Sequence, residues 1–179
     1  MRYFVGHLLE GDVEAWHTAI TNALAEKFNT WKIQEICPSH ITIFSEFETE
    51  NIEAVSKTID TVLSNARTGK YSISAFDYFD DRVVFAKIDP DTETISLVQR
   101  LREQLEKIPD IPKDKYVTWK PHATVAFRLS PKEITAIWNY VTTLEKPNFT
   151  APFDNITVFR FENEKWVVEK TFTINQYQP

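Results

Sequence analysis

A chain of 179 residues, 42% hydrophobic and 26% charged, is the size and composition of one soluble globular domain, and its net charge of −6 argues against coating long duplex nucleic acid. Three glycines leave no material for a Gly-rich phosphate loop or a dinucleotide fingerprint. The single cysteine, Cys37, excludes an internal disulfide and a thiolate zinc cluster, which suits a reducing cytoplasm.

The first predicted element is a strand at 2–9, RYFVGHLL, without the long apolar core of a signal peptide. Asp12 is expected to cap a helix running to about Phe28, with Val13, Trp16, Ile20 and Leu24 on one stripe. His17 sits beside that stripe and reads as a surface or boundary residue, and His7 as a structural strand residue. Residues 39–47, SHITIFSEF, alternate as a strand does. Asn51 caps a second helix with Ile52, Val55, Ile59, Val62 and Leu63 inward, closed by Gly69. Two strands follow, YSISAFDYF and RVVFAKI, around an Asp80-Asp81 turn.

Asp91 or Thr92 opens a third helix with Ile95, Val98, Leu101, Leu105 and Ile108 inward, stopped by Pro109 and Pro112. Residues 110–118 form a polar loop, and 119–128, WKPHATVAFR, a strand. Ser130-Pro131-Lys132-Glu133 is a capping box with proline at the first helical position, and the helix carries Ile134, Ile137, Trp138, Val141 and Leu144. Residues 155–161 and 165–174 close the chain as a hairpin. No apolar run reaches transmembrane length, so the expected location is the cytoplasm, with no membrane partner.

A weak repeat runs through this order. His40-Ile41-Thr42-Ile43 and His122-Ala123-Thr124-Val125 lie half a chain apart, each on a strand, each followed by a helix, with Pro38 and Pro121 just upstream. A duplicated α+β unit explains this. The expected fold is bilobal, two antiparallel-rich sheets flanked by helices, with pseudo-twofold symmetry and a central cleft, all within a single domain spanning 1–179.

On a strand, residues i and i+2 share a face, so His40 pairs with Thr42 and His122 with Thr124. Across a twofold axis, two imidazoles and two hydroxyls converge. That set suits phosphodiester cleavage. A neutral imidazole takes a proton from the attacking oxygen, and an imidazolium protonates the leaving oxygen. The threonine hydroxyls hold the non-bridging phosphate oxygens. Neither a metal nor a cofactor is required.

Ser39-His40-Ile41-Thr42-Ile43 and Pro121-His122-Ala123-Thr124-Val125 resemble the paired motifs of the two-histidine phosphoesterase superfamily, in particular its 2′-5′ RNA ligase-like and RNA 2′,3′-cyclic phosphodiesterase branch. The RYFVGHLL, Arg82-Val83-Val84-Phe85 and ITVFRFE strands match as well. The resemblance implies hydrolysis or ligation at 2′-5′ or 2′,3′-cyclic phosphate linkages. Relatives often place an arginine three residues after the second motif threonine; here Phe127 stands there and Arg128 follows.

Further candidate contacts are Arg128, which shares strand parity with His122 and Thr124, Lys120, and Phe44, which shares parity with His40 and could stack on a base. Lys32, Arg82, Trp31 and Trp119 are weaker candidates. The expected partner is a short RNA end or small nucleotide, bound by a monomer. The alternatives are a phosphodiesterase for signalling oligonucleotides or cyclic dinucleotides, and a non-catalytic nucleotide-binding protein that keeps the cleft.

Overall fold

The computed structural model describes residues 1–79 and 82–174, so the expected Asp80-Asp81 turn lies outside the described residues. The described elements, in chain order, are β1 (Arg2–Leu8), α1 (Gly11–Phe28), a short 3₁₀ turn (Ile33–Glu35), β2 (His40–Glu48), α2 (Ile52–Leu63), β3 (Gly69–Phe79), β4 (Val83–Pro90), α3 (Thr92–Leu105), β5 (His122–Ala126), α4 (Pro131–Val141), β6 (Phe149–Phe153), β7 (Asn155–Glu162) and β8 (Lys165–Thr173). The strands form two four-stranded antiparallel sheets, ordered β2-β1-β7-β8 and β5-β4-β3-β6. The two orders are equivalent under a pseudo-twofold: β1 corresponds to β4, β2 to β5, β7 to β3 and β8 to β6. The expected α+β duplication is the observed architecture.

Helix starts follow local chemistry. The Asn51 and Asp91 side chains accept from the Ala54 and Thr94 amides, and Ser130 and Glu133 complete the capping box. The first helix departs from expectation. It begins at Gly11, whose φ of +61° suits glycine, with Glu10 rather than Asp12 at the cap. Gly69 does not close α2, which ends at Leu63; it opens β3, where any Cβ would collide with the Thr94 side chain and amide at the start of α3.

One core unites the sheets, with Val5, Ile41, Ile59, Ile73, Val98, Leu101, Ile137, Ile156 and Val158 fully buried. Each such side chain contributes about 1.5–3 kcal/mol of transfer free energy. Ile95 is the exception on α3: at 44% exposed it faces out, and Leu97 takes the inward place. Strand β6 escaped the sequence reading because Pro152 interrupts it. It is an edge strand, where a missing amide is tolerated.

The buried stripe of α1 is Val13, His17, Thr21, Leu24 and Ala25, while Trp16 and Ile20 are only partly buried. The stripe is rotated from the apolar one the sequence suggests, because this face meets polar backbone. Helix α1 lies against β5 of the second sheet, and its counterpart α3 lies against β2 of the first. Each lobe thus lends a helix to the motif strand of the other.

Candidate active site

Both motif strands, β2 and β5, are edge strands, and they approach one another across the junction between the sheets. Two side-chain ties bracket the approach. The Trp119 Nε1–H donates to the Thr42 carbonyl at 2.8 Å. The His17 Nε2–H donates to the Thr124 carbonyl at 2.9 Å, while His17 Nδ1 accepts from the Ser39 hydroxyl at 2.9 Å. Thr42 is thereby joined to Trp119, and Ser39 to Thr124, so the strands run antiparallel and His40 and His122 lie opposite each other between the ties.

The two imidazoles are held alike. The His40 Nδ1–H donates to the Pro38 carbonyl at 2.7 Å, and the His122 Nδ1–H donates to the Lys120 carbonyl at 2.7 Å. A carbonyl only accepts, so Nδ1 carries the proton in both rings and the neutral form has its lone pair on Nε2. Among the described residues, neither Nε2 and neither motif threonine hydroxyl has a protein partner. Aromatic rings back both histidines. Phe4 and Phe159 lie 4.8 and 5.3 Å from His40, and Phe79 and Phe85 lie 4.9 and 5.2 Å from His122. Phe4 with Phe159, and Phe79 with Phe85, pack at 4.4 and 4.2 Å, a second pseudo-symmetric pair.

Burial sets the electrostatics. It pulls the His40 pKa from 6.5 down to about 4, opposed by the Pro38 carbonyl and helped by the nearby His17 and His122 rings. His122 is lowered too, by burial, against the Lys120 carbonyl. The mutual repulsion of the two rings means that one proton on the pair disfavours a second.

The structure brings His40, Thr42, His122 and Thr124 together. It does not bring Phe44 or Arg128 to them. Ile43 and Phe44 together oppose Val5, a bulge that flips strand parity, so Phe44 enters the core at 1% exposed, edge-on to Phe47, and cannot stack on a base. Strand β5 ends at Ala126, and Arg128, with φ of +55°, turns away. Its guanidinium lies over Trp31 at 5.2 Å and lines a cavity of about 340 Å³ with Lys32, Phe127 and Glu133. Lys120 precedes the strand; its carbonyl, rather than its exposed amine, serves the site by holding His122.

Sequence reasoning missed two residues. His17 is 1% exposed, not a boundary residue, and touches both motifs. Lys87 stands directly opposite His122 in the β4–β5 pair, hence on the same face, with its amine 3.1 Å from Asp89. The polar character of the α1 stripe was the available signal for His17; Lys87 needed the register. His7 is structural as expected: buried at 2%, bonded to the Asn155 carbonyl at 3.0 Å and stacked on Phe153. Among the described residues, no group of three or more His, Cys, Asp or Glu side chains is placed to hold a metal, and no helix is long and apolar enough to cross a membrane.

Two paired sheets with a His-x-Thr motif on each facing edge define a two-histidine phosphoesterase fold. The chain belongs to the 2′-5′ RNA ligase superfamily, whose profile matches residues 12–165. No curated protein sequence matches it. Among solved structures, TT0787 of Thermus thermophilus superposes with a TM-score of 0.72 at 18% identity, covering 99% of this chain and 100% of that one. E. coli LigT complexed with 3′-AMP gives 0.66 at 16%, covering 98% of each. Kluyveromyces marxianus Usb1 gives 0.53 at 9%, covering 93% of this chain and 96% of its own. At these identities the likeness establishes the fold.

Proposed function

We propose that this protein is a metal-independent phosphodiesterase acting on 2′,3′-cyclic phosphate or 2′-5′ linkages of RNA ends or small nucleotides. The observation that carries the reading is the matched anchoring of His40 and His122. Each Nδ1–H is bound to the carbonyl two residues upstream, which leaves two Nε2 atoms for proton transfer. His40, whose pKa burial lowers to about 4, is assigned as the neutral base that takes the proton of the attacking oxygen. His122 is the imidazolium that protonates the leaving oxygen. The free hydroxyls of Thr42 and Thr124 donate to the non-bridging oxygens and hold phosphorus between the rings. Membership of a phosphoesterase superfamily supports this chemistry. The crystallisation of E. coli LigT with 3′-AMP, ATP and NADP+ supports a small nucleotide as the bound species.

The test is a substrate panel of 2′,3′-cyclic mononucleotides, 2′-5′ and 3′-5′ dinucleotides and cyclic dinucleotides, run with and without chelator, with His122→Ala as control. Turnover of a cyclic-phosphate or 2′-5′ substrate that survives chelation and vanishes in the variant is expected. Turnover of cyclic dinucleotides alone, or binding with no turnover, would replace this reading.

A further inference from the structure

We propose that His17 is a positioning residue that fixes both motifs at once, holding β2 and β5 at the spacing one phosphate requires and His40 in a single tautomer. The proposal rests on the functional reading above for its kinetic consequence, though not for its structural one.

His17 lies on α1, outside both motifs, yet its two ring nitrogens are spent on the two motif strands. Nδ1 accepts from the Ser39 hydroxyl and Nε2–H donates to the Thr124 carbonyl, each at 2.9 Å, with the ring 1% exposed. Burial keeps the ring neutral, and the neutral tautomer that satisfies both partners carries its proton on Nε2, the opposite tautomer from His40 and His122. Ser39 is held at a second point, its carbonyl accepting from the Leu9 amide at 2.9 Å. Pro38, next in line, supplies the carbonyl that orients His40. The three residues 38–40 therefore form one restrained segment, and His17 restrains it from the side of the opposite lobe. At its other end the same ring fixes the backbone of Thr124, and with it the origin of that hydroxyl.

A side chain that only filled space here would leave the Thr124 carbonyl and the Ser39 hydroxyl buried without partners, which destabilises the fold wherever it occurs. A positioning role predicts more: a change at the His40 ring in molecules that are still folded. Losing the tie frees Pro38 to turn, and His40 then samples both tautomers. A misplacement of this kind lowers kcat by roughly 10- to 100-fold while binding changes far less.

Three variants separate the roles. His17→Leu removes both bonds. His17→Asn places an amide oxygen where Nδ1 accepts, keeping the Ser39 bond. Ser39→Ala removes only the hydroxyl and covers the case in which His17→Leu does not fold. Each is read by kcat and KM per folded molecule and by the nitrogen-15 chemical shifts of the His40 ring, which report its tautomer without substrate. The expected result is a kcat loss and a mixed His40 tautomer in His17→Leu and Ser39→Ala; His17→Asn restores the single His40 tautomer but recovers kcat only in part, because the Thr124 tie is still missing. Wild-type kcat per folded molecule, or an unchanged His40 tautomer, in the variants lacking the Ser39 bond would overturn the proposal. Should the wild-type protein turn over no phosphodiester, the functional reading fails, and the ring shifts alone decide the positioning role.

Discussion

Acid should unfold this protein through its buried histidines, and His7 gives the cleanest measure. Burial pulls the pKa of His7 from 6.5 to about 4, and that of His17 likewise, because neither ring can be charged without losing solvation. The unfolded chain takes up these protons below about pH 6.5 and the folded one does not until about pH 4, so stability is full above that window and falls as pH drops through it. At about pH 5 each ring has withdrawn about 2 kcal/mol relative to neutral pH, roughly 4 kcal/mol for the two. Domains of this size are stable by about 5–15 kcal/mol in all, so the effect is large. His7→Asn places an amide N–H where the ring Nδ1–H meets the Asn155 carbonyl, and it cannot titrate. Urea unfolding at a series of pH values from about 7 to about 5 is the assay. The variant starts less stable, but its decline over that range should be shallower by about 2 kcal/mol. Parallel declines in variant and wild type would show that His7 is not held neutral by burial.

The remaining predictions concern the site. His40→Ala or His122→Ala should lower kcat by roughly 10²–10⁴, and a folded variant within a few-fold of wild type would remove that residue from the acid/base pair. The pH profile of kcat/KM should be a bell displaced to the acid side: the base must be neutral, so the rising limb follows His40 near 4, and the acid must be protonated, so the falling limb follows His122 below 6.5. An alkaline optimum contradicts that assignment. Gly6→Ala would place a Cβ 3.0 Å from the Ile41 carbonyl and 3.2 and 3.3 Å from the Phe159 and Phe4 rings that back His40. It should cost about 1–3 kcal/mol in urea unfolding and lower kcat as well; a stability loss without a kcat change would mean that the aromatic backing plays no part in turnover.

The sequence was most legible where local chemistry decides. The caps at Asn51, Asp91 and Ser130 are set by side chains within three residues of the amides they serve, and the His-x-Thr motifs by strand alternation. It was misleading where a neighbour decides. Phe44 keeps the parity of His40 on paper, but the bulge opposite Val5 is a property of two strands, and it turns Phe44 inward. Arg128 keeps the parity of Thr124 only if β5 reaches it, and β5 stops at Ala126. His17 looked peripheral because the helix was judged by its apolar residues, whereas the face it presents meets a backbone carbonyl and a hydroxyl that need polar partners.

Open sheet edges invite pairing with other chains, and the described strands leave four. The outer two are blunted by ordinary means: Pro152 sits in β6, and Lys165, Glu169 and Lys170 stud β8. The inner two, β2 and β5, are turned toward one another, and their Thr42 and Thr124 carbonyls are occupied by ring N–H groups from Trp119 and His17. The cleft is therefore also a guard against self-association. Loosening these two contacts would free two edge-strand carbonyls to pair with another chain.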